Sequence, residues 1–144
     1  MGRCERGLGM FGKLQTATVR VAVKAPAPVL ARCVTEAALL RQWVWPQRLD
    51  DRLPLQLELG SQFDSHLGPL HIGHQVEALE GDRMVLTLWG AIDGWNEWRW
   101  GNGWVQLHVE GVSLLPLRLG LSVTLNRLGA FARQQAESEQ SGLD

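Results

Sequence analysis

The chain has 144 residues, with 14 lysines and arginines against 15 aspartates and glutamates and a formal net charge of −1. This length fits one domain, which buries about 68–70% of its unfolded surface, enough for a core plus a cavity. The balanced, scattered charge provides neither a nucleic-acid footprint nor a polybasic membrane surface. No apolar run reaches membrane-spanning length. Cys4 and Cys33 are too few for a disulfide framework or a structural zinc site.

Residues 1–13 have arginines and glycines but no apolar core of a signal peptide, and Arg6 stands where a myristoylation motif needs Ser or Thr. They are expected to form a flexible tail of a cytoplasmic protein, with Met10 a second candidate start. From Thr16 to Lys24 the chain alternates, with Ala17, Val19, Val21 and Val23 on one face, which predicts a first strand. Ala25-Pro26-Ala27-Pro28 ends it and opens a helical stretch in which Leu30, Cys33, Val34 and Ala37 recur at helix spacing. Thr35-Glu36 is expected to cap a second short helix through Leu39, Leu40 and Trp43, stopped by Pro46. Leu55, Leu57 and Leu59 alternate with polar residues and predict another strand, with a bend at Gly60.

Turn chemistry orders the next strands. Asn102-Gly103 is a strong two-residue hairpin signal, because both central positions take positive φ, and it sets Trp98 opposite Leu107. Asp93-Gly94, read the same way, sets Trp89 against Trp98. Gly81-Asp82 brings His74 beside Trp89, and Gly68-Pro69 pairs Phe63 with His74. The expected result is one row, Phe63, His74, Trp89, Trp98 and Leu107, along the inner face of an antiparallel sheet, with Trp100 on the same face. After Gly111 the period changes. Leu117, Leu121, Thr124, Leu125, Leu128, Phe131 and Ala132 trace one stripe of a long helix, and residues 137–144 read as a polar tail. The bounds of the single domain are then 14–136. Its class is α+β, a curved antiparallel sheet wrapped around a C-terminal helix, with two short helices after the first strand.

Ala25-Pro26-Ala27-Pro28-Val29, then Leu39-Leu40-Arg41-Gln42-Trp43 and Pro46, are similar to the "apapeV … lrqWw.P" lead-in to the helix pair of the START-like, or SRPBCC, helix-grip superfamily. Leu59-Gly60-Ser61-Gln62-Phe63 resembles that family's "pGsrf" strand opening. The superfamily includes pollen-allergen-like proteins, polyketide cyclases and heat-shock-protein activators. The resemblance implies a cavity for an apolar or aromatic small molecule, of lipid or polyketide type, with no shared catalytic residue. The chain has no tyrosine, which argues against a phenol-assisted aromatase reaction.

The expected ligand wall is Phe63, His74, Trp89, Trp98, Trp100 and Leu107 from the sheet, with Leu121, Leu125 and Leu128 from the helix. The helix leucines either line an open space or fill it. His74 is the one titratable group placed inward. It is either a satisfied core histidine or the acid/base of a cyclase or isomerase, and a partner-binding module of the chaperone-activator kind is the third alternative. Trp43 and Trp45 either rim the cavity mouth or pack, whereas Trp104 falls on the outer face and Trp95 borders the Asp93-Gly94 turn. On the outer face His66 stands opposite His71 near Asp64, a grouping that falls short of a zinc signature. No metal site, P-loop or dinucleotide fingerprint is read, so no cofactor is expected. The expected partner is a hydrophobic small molecule, taken up by a monomer or homodimer without nucleic acid or integral membrane association.

Overall fold

A computed structural model describes residues 12–44 and 46–143. The expected tail over 1–13 thus falls almost wholly outside the described residues, as do Cys4, Met10 and Trp45. In chain order the elements are β1 (Lys13–Ala22), α1 (Ala27–Thr35), α2 (Ala37–Trp43), β2 (Arg48–Leu49), β3 (Gln62–Leu67), β4 (Leu70–Glu80), β5 (Arg83–Gly90), β6 (Ile92–Gly101), β7 (Trp104–Ser113) and α3 (Leu117–Leu143). The seven strands form one antiparallel sheet in the order β1-β7-β6-β5-β4-β3-β2. With α3 packed against its inner face, this is the expected helix-grip arrangement.

Two hairpins follow from local turn residues. Gly103 takes φ +86 while Asn102 does not take the positive φ expected of it, yet the Asn102-Gly103 corner still sets Trp98 opposite Leu107 and Trp100 opposite Val105. The Asn102 side chain also accepts the Ala27 N–H at 2.8 Å, so the same turn holds the start of α1. At the Gly68-Pro69 corner Phe63 pairs with His74 and His66 with His71. β1 closes the sheet on the other side by pairing with β7, and it starts at Lys13, before Thr16.

Elsewhere the register departs from expectation. The Gly81-Asp82 corner is present, pairing Glu80 with Arg83, but the ladder shifts between Val76 and Ala78, a bulge at Glu77. Past it, His74 lies opposite Leu88 instead of Trp89. A one-residue slip of this kind exchanges the faces of a strand, so the inner face passes from Val76 to Leu79 and not to Ala78. Asp93-Gly94 is not a turn. The chain reverses at Gly90-Ala91, where Gly90 has φ +90, and Met84 pairs with Trp98 while Leu88 pairs with Gly94. Met84, Leu86 and Leu88 face in, and Trp89 faces out.

Leu55–Leu59 is not a strand either. It makes one bridge, Gln56 with Glu36, and leaves Leu55 and Leu59 exposed while burying Leu57. Backbone bonds from Leu57 to Thr35 and from Ala37 to Leu55 dock this segment on the α1–α2 junction, so its edges pair with helix ends and not with the sheet. At that junction Glu36 is extended and provides no side-chain cap, and the Thr35 hydroxyl donates back to Ala31 O. The inward stripe of α3 is as expected through Ala132, but the helix continues through Leu143. Good helix formers fill this stretch, Arg133 pairs with Glu137 one turn on, and Arg32 of α1 pairs with Glu139. No helix among the described residues is long and apolar enough to cross a membrane.

Candidate functional site

Between the inner face of the sheet, the α1–α2 pair and α3 lies a cavity of about 380 Å³. Its sheet wall includes Phe63, His74, Leu86, Leu88, Trp98 and Leu107, and α3 contributes Leu121 and Thr124. Leu119 and Val123 also line it, yet Leu119 is 62% and Val123 46% exposed, so the cavity opens along this edge of α3. The start of that helix is tied down by Gln15 of β1. Its amide donates to Ser113 O and Leu115 O, and its oxygen accepts the Leu117 N–H at 3.1 Å.

Five of the nine ligand-wall residues expected from sequence line the cavity: Phe63, His74, Trp98, Leu107 and Leu121. Trp100, Leu125 and Leu128 face inward but pack into solid core, with Trp100 donating from Nε1 to Gly81 O at 3.1 Å. Trp89 is the correction among the aromatics. It lies on the outer face, 36% exposed, with its ring over Gly73. The nearly continuous apolar run from Met84 to Trp89 has no alternation to fix its facing, and the bulge and the Gly90 reversal decide it.

Trp43 belongs to the wall. It is buried, donates from Nε1 to Cys33 O at 2.9 Å, and meets Trp98 edge-on with ring centroids 6.1 Å apart. Arg127 of α3 lines the same region and donates from Nε to Trp43 O at 3.0 Å. Asn96 was missed in the sequence, although Asn102-Gly103 fixes its face. Residues 96, 98 and 100 alternate inward together.

His74 is held by two contacts. Its ring stacks on Phe63 at 4.5 Å with an interplanar angle of 6°, and Nε2 lies 2.9 Å from the Ser65 hydroxyl, to which the Gln47 amide donates at 2.8 Å. Burial pulls its pKa down to about 4, because the charged imidazolium would lose solvation in the apolar wall. The imidazole is therefore neutral at pH 7. Its neighbour across the sheet, Asp64, faces outward, where His71 Nε2 lies 2.5 Å from its carboxylate and holds it below the usual carboxylate range. The His66 and His71 rings are 5.4 Å apart, but no three His, Cys, Asp or Glu among the described residues are grouped to hold a metal ion. Cys33 is a buried free thiol, raised to about pKa 11 by burial, which removes it as a nucleophile near neutrality. Outside, the Arg20 guanidinium covers Trp104 at 4.1 Å, and Trp95 lies against His108.

An apolar chamber with a few inward polar groups and one open edge is the form of a small-molecule site, and its volume lies within the range of roughly 300–1,000 Å³ usual for one. No family model and no curated protein matches this chain. Solved structures do. Protein CV1439 from Chromobacterium violaceum is 18% identical with a TM-score of 0.66, over 82% of this chain and 97% of that one. Mll3558 from Rhizobium loti is 12% identical with a TM-score of 0.69, over 84% and 96%. DynU16, from the dynemicin biosynthetic locus, is 18% identical with a TM-score of 0.63, over 84% of this chain but 48% of its own length. At such identities the likeness defines the fold alone, a sheet gripping a C-terminal helix.

Proposed function

We propose that the chain is a START-like binding protein that takes a hydrophobic, ring-containing small molecule into the cavity between the sheet and α3. One observation carries this reading: a chamber of about 380 Å³ whose wall combines Phe63, Trp43 and Trp98 with aliphatic side chains and opens at Leu119 and Val123. Rigid rings in such a wall provide flat apolar area at little entropic cost. The lead-in residues Ala25 to Val29 and Leu39 to Trp43 add the superfamily resemblance, and DynU16, similar in fold, comes from a biosynthetic locus.

An acid/base role for His74 fits less well. A group with a pKa of about 4 is a poor proton donor at pH 7, and its Nε2 is already engaged by Ser65. The test is a panel of hydrophobic ring compounds titrated against intrinsic tryptophan fluorescence. Quenching is expected in the wild type, and Trp98→Ala is expected to weaken it several-fold. A wild-type signal that no compound changes refutes the proposal.

A further inference from the structure

The polar groups in the cavity wall are not alike. His74 meets Ser65, Gln47 donates to Ser65, and Arg127 donates to Trp43 O. Asn96 differs: its Oδ1 is buried and has no hydrogen-bond partner among the described residues. Its cross-strand neighbours are Leu86 on β5 and Val109 on β7, and neither side chain has a proton to donate. Asparagine is also a poor strand former. Two unfavourable features thus coincide at one cavity-lining position, a disfavoured residue in mid-strand and an unanswered buried carbonyl.

We infer that Asn96 is a specificity-determining residue, selecting ring-containing ligands that carry a hydroxyl or N–H donor, which its side-chain carbonyl accepts. The inference rests on the cavity being the ligand site. Asn96 and His74 share the inner face two strands apart, opposite Leu86 and Leu88, which are successive inward residues of β5. With ordinary strand spacings their Cα atoms are about 12 Å apart. The ring body then lies over Leu86 and Leu88, with its donor at the Asn96 end. As it stands Oδ1 is turned into the wall, and a half-turn of the terminal amide torsion, low in barrier for an sp³–sp² bond, exchanges it with the NH2 group and brings it to the cavity when a donor arrives. The His74 end is uncharged at pH 7, so it adds no attraction for a carboxylate.

The test uses three probes of similar size, 4-hydroxybiphenyl, 4-methylbiphenyl and biphenyl-4-carboxylate, each displacing 1-anilinonaphthalene-8-sulfonate from the full chain. Wild type is expected to prefer the phenol to the methyl compound by about tenfold, the usual value of one answered hydrogen bond at a desolvated group. Asn96→Leu, of similar volume but without the carbonyl, is expected to erase that preference. Removing an unanswered carbonyl also favours the unbound fold, so the same variant should melt about 3 °C higher. Equal wild-type affinities for phenol and methyl compound, a carboxylate preferred over both, or a phenol preference surviving in Asn96→Leu overturns the inference while leaving the cavity a binding site. If none of the three displaces the dye, the inference and the binding proposal fail together.

Discussion

The His74 imidazole couples stability to acidity. Unfolded, it takes up a proton near pH 6.5, whereas in the wall, chiefly through burial, it does so only near 4. Between these values the unfolded chain holds more protons, so stability is full above about pH 6.5 and falls as the pH drops toward 4, by at most about 3 kcal/mol. Asp64, bonded to His71, and Glu97, bonded to Arg83, have lowered pKa values, so their contributions fade only below the ordinary carboxylate range. Urea midpoints measured from pH 7 to 4.5 should show the decline in wild type and a flatter profile in His74→Gln, which keeps a hydrogen-bonding group that does not titrate. Identical profiles would mean that the ring is protonated as readily in the fold as outside it. The inward position of His74 was legible because Gly68-Pro69 fixes its pairing with Phe63. Its partner Ser65 was not read, because a side-chain bond across a hairpin leaves no trace in periodicity.

Among the elements, strand pairs joined by an unambiguous corner were legible, and those that depend on packing were not. Asn102-Gly103 and Gly68-Pro69 set register through φ values that few residues adopt. The bulge at Glu77 has no such local signature, since Val76 to Leu79 would alternate acceptably in either phase. It nevertheless decides what faces the cavity. Trp89 shows the consequence: its indole covers Gly73, where an added Cβ would lie 2.0 Å from Trp89 Cε2. Gly73→Ala should therefore cost about 1–3 kcal/mol through displaced ring and strand. In a Trp89→Ala background the same change should cost much less, because the ring that the methyl group meets is gone. Chemical denaturation of the two single variants and the double variant gives the coupling directly, and strict additivity would place the clash elsewhere.

Over the whole molecule, the composition and the order of elements pointed to a sheet with a helix across it, but they could not say which inward side chains would meet space and which would meet each other. That depends on how α3 crosses the sheet. Toward Ala132 the helix lies close, and Leu125 and Leu128 are fully buried against the sheet core; toward Leu121 it stands off, and the chamber forms. Leu125→Ala should accordingly cost about 2–5 kcal/mol in thermal or urea unfolding, as in other filled interiors. Leu119→Ala, at the exposed rim, should stay within about 0.5 kcal/mol. A large penalty at Leu119 would mean that the rim is structural.

The roof of the chamber is riveted at two points. Gln15 ties the β7–α3 crossing and the first helical N–H, and Arg127 fastens the helix to the Trp43 carbonyl farther along, with Gly120 to Thr124 spanning the gap between them. A beam held at both ends does not bow outward for a bulky guest. For the binding role proposed above, the expected consequence is selection by girth: affinity rises as each added ring fills the mould and drops abruptly at the first ligand one ring too wide.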